Sequence, residues 1–404
     1  MGKTKFVNPF KPGAGHMPPY LAGRSREIKE FEKLLKQDTI LDNLVLTGLR
    51  GVGKTVLLER FKEIAIQNNW LWVGTDMSES ASIGEEQIIL RLLTDLSTVT
   101  SNMPFKKEKV RSLGFASQSK FVNYSLSFEN LRMIYRSIPG LAVDKLKGIL
   151  DLVWRSINKQ KPQGLIFAYD EAQTISNHPK KEEYPLSLFL DAFQSIQKKD
   201  IPFMLVLTGL PTLFPKLVDA RTFAERMFRV VFLDKLDKED SRDAIVKPIQ
   251  HSSDSIVFEE NSIKTVVKES SGYPYFIQFI CREVYDIFLQ KRSQGKRMSV
   301  PIDIIIRKLD ADFFAGRWAK ATDRQRELLL MIAKLENCDQ EFTVQEVVEI
   351  SKKNLEKPFG SSHINQMLST LSNLGLVYKN RHGKYSFAVP LFGKFILRQE
   401  TGLN

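Results

Sequence analysis

Cysteine is nearly absent: of 404 residues only Cys281 and Cys338 are cysteines. Two thiols so far apart exclude a disulfide framework and any cysteine-rich zinc module, and fit a reducing compartment. No apolar run approaches the ~18 residues needed to cross a membrane. The opening stretch, Met1 to Phe10, holds no apolar core of a secretory signal, and Phe6 stands where a myristoylation signal requires serine or threonine. The expectation is a soluble cytoplasmic protein with no membrane attachment. Internal repeats and low-complexity tracts are also missing. What remains is ordinary globular material: 43% hydrophobic and 26% charged residues argue against overall disorder. At roughly 150 residues per domain, the length suggests two to three domains. Acid is in deficit, with 47 Asp and Glu against 59 Lys and Arg, a formal charge of +12 that favours anionic partners.

Residues 1–19 are rich in proline (Pro9, Pro12, Pro18, Pro19) and read as an extended segment. Ile28, Phe31, Leu34 and Leu35 then follow helical spacing. Short apolar runs come at 44–46, 70–73, 165–169, 203–207 and 230–233, separated by amphipathic stretches such as 56–66. Short buried strands alternating with helices predict an α/β fold with a doubly wound, largely parallel sheet. From 235 to about 315 the pattern is helical only. Beyond Thr322 come helices, then a hairpin around Arg381-His382-Gly383. Basic charge concentrates in residues 101–162, with 12 Lys and Arg against 4 Asp and Glu; residues 321–404 carry 11 against 9.

The motif that carries chemistry is Gly48-Leu49-Arg50-Gly51-Val52-Gly53-Lys54-Thr55, which fits G-x-x-x-x-G-K-[ST] between a strand and the helix opening at Val56. Its glycines let successive N–H groups turn inward onto phosphate oxygens, and the helix adds its N-terminal dipole. Lys54 is placed to reach the β- and γ-phosphates and Thr55 to bind Mg²⁺ through its hydroxyl. The 165–169 strand ends in Asp170-Glu171. Beside a phosphate loop, Asp170 is the candidate for holding a Mg²⁺ water and Glu171 for deprotonating the attacking water. Thr208, at the end of the 203–207 strand, is the candidate polar residue between Glu171 and the γ-phosphate.

Together these residues resemble an AAA+ P-loop ATPase of the bacterial replication-initiator (Orc/Cdc-type)/STAND-like group. The resemblance rests also on Leu21-Ala22-Gly23-Arg24-Ser25-Arg26-Glu27, on Ala224-Glu225-Arg226-Met227-Phe228 and on Gly272-Tyr273-Pro274. It implies a nucleotide-binding α/β core over 20–234 with a basic insertion at about 101–140, a helical lid over 235–318 and a winged helix over 319–404. It implies that Gly23 and Arg24 pack near the adenine and that Pro274 lies close to the base. It also implies that Arg226 is aimed at a γ-phosphate, in its own site or a neighbour's, which would require a homo-oligomer. Thr208 stands where Asn is common. The Gly-x-Pro lid, lacking the usual sensor arginine, is the form associated with slow switch ATPases.

In the tail, Thr343 can cap a helix, 361–374 is a second helix, and Lys379, Arg381, His382 and Lys384 furnish a wing. The second helix carries no Lys or Arg, which weakens a DNA role there. In the basic stretch, 119–128 alternates as a hairpin would, and Lys106, Lys107, Lys109, Arg111, Lys120, Arg132 and Arg136 surround Phe115, Phe121 and Tyr124. The expected function is an ATP- and Mg²⁺-dependent switch that hydrolyses ATP and engages a protein or DNA through the winged helix or the insertion. The alternative is a DNA-binding initiator or loader in which ATP is mainly a structural ligand.

Overall fold

The computed structural model describes residues 8–400 except 14, 79, 81–82, 102, 112–118, 251–255, 294–299 and 382. The five apolar runs are strands: β1 (Asn43–Gly48), β2 (Trp70–Val73), β5 (Gly164–Tyr169), β6 (Phe203–Gly209) and β7 (Phe228–Leu233). They form one parallel sheet in the order β2-β5-β6-β1-β7. Alternate residues serve opposite faces. Val45, Phe167, Tyr169 and Leu205 face a core shared with the helices Glu85–Thr100, Ala142–Ile157 and Pro185–Gln197. Leu44, Leu46, Ile166 and Val206 face the other side, where Phe31 of Ser25–Leu34 stacks on Phe61 of Lys54–Gln67 at 4.2 Å between centroids. Both faces are covered over the central strands β5, β6 and β1, which is why these read as unbroken apolar runs, while the edge strand β7 leaves Val230 and Phe232 exposed.

Register places the chemistry. Leu46 of β1 pairs with Thr208 of β6, and Tyr169 of β5 with Leu207. The carboxyl ends of these three neighbours therefore bring the loop after β1, Thr208 and Asp170 side by side at one edge of the sheet, where open α/β sheets bind ligands.

The basic stretch differs from expectation. Residues 119–125 form one strand, β4 (Ser119–Ser125), not a hairpin by themselves; its antiparallel partner is β3 (Pro104–Arg111). β3 has no apolar alternation, so periodicity could not reveal it. Ser127 caps a helix Phe128–Ser137, so Arg132 and Arg136 belong to a helix. Phe115 and the side chains of Phe121 and Tyr124 lie outside the described residues.

After β7 the described chain is helical: Lys238–Gln250, Glu260–Ser270, Pro274–Ser293 and Ile302–Leu309. The last continues through a π-turn, Asp310–Phe314, into Ala315–Trp318. The tail holds helices Asp323–Ala333, Val344–Asn354 and Ser361–Asn373. It adds a small antiparallel sheet, in the order β8 (Phe342–Thr343), β10 (Lys384–Phe387), β9 (Val377–Arg381), and a final helix Phe392–Glu400. This is a winged-helix-like arrangement. Thr322 and Thr343 each close a capping box, with Gln325 and Glu346.

The helical region and the tail share one hydrophobic core. Phe314 stacks on Phe395 at 5.2 Å and on Phe392 at 6.0 Å, and Asp310 accepts two hydrogen bonds from Arg398. The N-terminal segment is strapped to the same core. Phe10, 2% exposed, packs on Phe258 and Tyr285, and the Asn8 amide donates to the Arg282 carbonyl and to Asp286. Among the described residues no helix is long and apolar enough to cross a membrane.

Candidate functional site

The loop after β1 bends as its glycines allow: Gly51 and Gly53 take φ of +79° and +93°, a region that side chains disfavour. A Cβ on Gly48 would meet the Leu233 carbonyl at 2.5 Å. The loop opens onto a cavity of about 520 Å³. Arg50, Gly51, Val52, Gly53, Lys54, Thr55 and Val56 form one wall, and Glu171, Arg24 and Pro274 contribute from elsewhere.

Lys54 folds back onto its own loop, its ammonium donating to the carbonyls of Gly48 (2.9 Å) and Leu49 (3.0 Å). Burial lowers its pKa, opposed by the charges of Glu171 and Asp170. The Thr55 hydroxyl donates to one oxygen of Asp170 at 2.5 Å, and the Thr208 hydroxyl donates to the other. The backbone N–H of Glu171 also donates to Asp170, at 2.8 Å. Asp170 is 4% exposed and Thr208 is fully buried. Glu171 itself has a left-handed backbone, φ +50°, unusual for a non-glycine residue and common at functional sites. Its carboxylate accepts from the Gln173 amide, while the Gln173 side-chain oxygen accepts from the Leu210 N–H.

The other sequence candidates fall into two groups. Pro274 opens the helix Pro274–Ser293, whose next N–H, from Tyr275, donates to the Gly51 carbonyl at 3.1 Å. The helical region thus touches the phosphate loop directly. Arg24 lines the cavity, but its guanidinium is engaged by the carbonyls of Val52 (2.9 Å) and Asp234 (2.8 Å), so it braces the loop against the end of β7. Gly23, φ +64°, allows close approach of Asp240. Leu49 turns outward to a separate cavity of about 390 Å³, shared with Tyr378, Asn380 and Lys384 of the tail.

Arg226 is not brought to this cavity. It sits exposed on the short helix Ala224–Met227 and makes no side-chain hydrogen bond or ion pair among the described residues. Its neighbours are engaged: Arg221 pairs with Asp191 at 2.6 Å, and Arg229 with Glu30 at 2.7 Å and Asp42 at 3.2 Å.

Several lining residues carried no sequence signal. Lys11, His16 and Tyr20 come from the N-terminal segment, and Asp312, Phe313 and Arg317 from the far side of the helical region. Asp76, just after β2, pairs backbone with Asp170. Burial and then the nearby charges of Asp170 and Glu171 raise its carboxyl pKa. All of these are distant in sequence from the loop and belong to no local motif.

A glycine-turned loop, a buried lysine and a Thr–Asp contact at the edge of a parallel sheet define a P-loop nucleoside triphosphatase fold. Residues 20–218 match the AAA ATPase domain family, and residues 311–396 match a domain of unknown function. The chain carries an AAA ATPase domain, followed by a helical region and the winged-helix-like tail. Among solved structures it is similar to the Walker-type ATPase PABY2304 of Pyrococcus abyssi, at 16% identity and TM-score 0.56, covering 93% of this chain and 96% of that one. It is also similar to the ORC2 protein of Aeropyrum pernix in its ADP form, at 14% identity and TM-score 0.53, covering 97% and 96%. Likeness at such identities concerns the fold. No curated protein matches the sequence.

Proposed function

We propose that the protein is an ATP-hydrolysing molecular switch, built as a core over 20–234, a lid over 235–318 and a winged helix over 319–404. The observation that carries this reading is the convergence of Lys54, Thr55 and Glu171 on a single cavity, with Asp170 hydrogen-bonded to Thr55 behind its wall. The loop N–H groups and Lys54 hold the phosphates of ATP, Lys54 exchanging its two carbonyl partners for phosphate oxygens. The oxygens of Thr55 and Asp170 are hard donors within hydrogen-bond distance of each other, which fits Mg²⁺. The ion would supply charge neutralisation of the phosphates. Glu171 takes the proton of the attacking water, and Gln173 holds its carboxylate. Thr208 acts by fixing Asp170. Arg24 and Gly23 shape the loop, and Pro274 faces the nucleotide from the lid.

Arg226 is exposed and unengaged, which favours action on the nucleotide of a second copy, so that hydrolysis is slow in the monomer and depends on assembly. The basic hairpin β3–β4 keeps DNA as a partner, since phosphate contacts dominate such affinity. The exposed face of Ser361–Asn373 carries only uncharged side chains and His363, which favours a protein surface for that helix. The test is to measure ATP binding and turnover together in the wild type and in Glu171→Gln. The expected result is nucleotide binding by both and turnover by the wild type alone; a wild type that binds no nucleotide overturns the reading. A gel-shift series in rising salt decides the partner. Retardation that falls steeply with salt supports DNA, and no retardation at low salt excludes it.

A further inference from the structure

Behind Glu171, outside the nucleotide cavity, stands a half-buried cation. Lys216 lies on the helix Leu213–Ala220, which the fully buried Leu213 and Leu217 anchor in the core. Its ammonium donates to the Gln173 carbonyl at 2.5 Å and makes no other hydrogen bond or ion pair among the described residues. Burial lowers its pKa to about 8, so near pH 7 the group is still charged. An ammonium drawn partly out of water toward a single neutral partner is costly, and an apolar side chain would pack this helix at less expense. The lysine's one contact is with the turn that presents the base.

That turn, Ala172–Thr174, starts from the left-handed backbone of Glu171 and is seated by Ala172, 1% exposed. The side-chain amide of Gln173 lies between two groups of opposite demand. Its oxygen accepts from the Leu210 N–H at 3.1 Å, and its nitrogen donates to one carboxylate oxygen of Glu171. An ionised carboxylate only accepts and a backbone N–H only donates, so one orientation of the amide satisfies both. The approach to the next strand end is close: a Cβ on Gly209 would stand 2.4 Å from the Gln173 oxygen. The other carboxylate oxygen of Glu171 makes no hydrogen bond among the described residues, and Glu171 lines the cavity. A general base works only within reach of the proton it takes. We propose that Lys216 is a positioning residue for hydrolysis: by holding the Gln173 carbonyl it fixes the turn 172–174, so that the Gln173 amide pins one oxygen of Glu171 and leaves the other to meet the attacking water. The inference rests on the reading of Glu171 as the base. Lys216 itself touches neither nucleotide nor water in this arrangement.

The test uses the full chain at pH 7. ATP turnover is measured beside calorimetric binding of a non-hydrolysable ATP analogue in wild type, Lys216→Met, Lys216→Arg and Gln173→Met. Single-turnover rates compare Glu171→Gln with the double variant Glu171→Gln, Lys216→Met. The expected result is a fall in kcat of about tenfold to a hundredfold in Lys216→Met and Gln173→Met, the cost of a misplaced catalytic group. Affinity for the analogue should stay within about twofold, since the lost interaction serves the chemical step. Lys216→Arg, which keeps a charged donor, should restore most of kcat. In the Glu171→Gln background Lys216→Met should cost nothing further, because two residues that act as one unit do not add. Unchanged turnover in Lys216→Met, a loss of affinity that matches the loss of kcat, or an equal further loss in the Glu171→Gln background overturns the inference and leaves the base assignment standing. Normal turnover by Glu171→Gln overturns the base assignment and the inference with it. If Lys216→Met does not fold, Lys216→Ala is read by the same criteria.

Discussion

Lys54 is buried, is hydrogen-bonded only to two carbonyls of its own loop, and has the carboxylates of Glu171 and Asp170 nearby but no direct ion pair, so its ammonium can exchange those carbonyls for an arriving anion. Lys54→Ala should therefore weaken nucleotide binding by about tenfold to a hundredfold, the worth of charge-assisted hydrogen bonds. The check is loss of the nucleotide-induced rise in melting temperature. Glu171→Gln should keep that rise while turnover falls by about 10²–10⁴; normal turnover would refute the base assignment. A third residue gives a pH dependence. Lys216 donates to the Gln173 carbonyl, and burial lowers its pKa from 10.5 to about 8. Between those values the unfolded chain holds a proton at this position that the folded chain has lost, so the group's contribution to stability rises with pH across that window. Urea midpoints at about pH 7.5 and pH 9.5 should show the increment in the wild type and not in Lys216→Met. At this scale the sequence pointed to the residues of one contiguous motif and of two strand ends, Asp170-Glu171 and Thr208. Arg317, Asp76 and Gln173 were hidden because each joins the site through the fold alone. Arg24 was legible as a site residue, but its work as a brace depends on carbonyls 28 and 210 positions away.

At the scale of elements, legibility followed periodicity. The central strands β5, β6 and β1 are buried on both faces, and together with the partly exposed edge strands β2 and β7 they announce themselves as apolar runs. Thr343 was readable as a cap, and it closes a capping box with Glu346. Thr343→Ala should cost about 0.5–2 kcal/mol by urea denaturation, and a change of a tenth of that would mean the helix Val344–Asn354 is held by packing alone. β3 escaped notice because Phe-Lys-Lys-Glu-Lys-Val-Arg has no strand-like alternation. The π-turn escaped because an inserted residue shifts a helical pattern without breaking it.

At the scale of the whole molecule, the helical region and the tail are one packed body. Phe276, Phe314, Phe392 and Phe395 belong to a single cluster, joined by Phe10 from the other end of the chain. Phe314→Ala should cost about 3–5 kcal/mol and should loosen both parts together. Hydrogen exchange that slackened in the helical region while sparing the tail would contradict this. The boundary at 318 came from the family resemblance, which divides the chain by role and says nothing of which parts share a core. Shared burial between segments far apart in the chain leaves no trace in a local pattern.

A practical rule for dissecting the protein follows from that joint core. Truncation at 318 would strip Phe314 of its aromatic cover and yield a sticky, aggregating fragment. Isolated pieces worth expressing should end near 234 or run through to 400, and those keeping the lid should also retain the first dozen residues so that Phe10 stays in place.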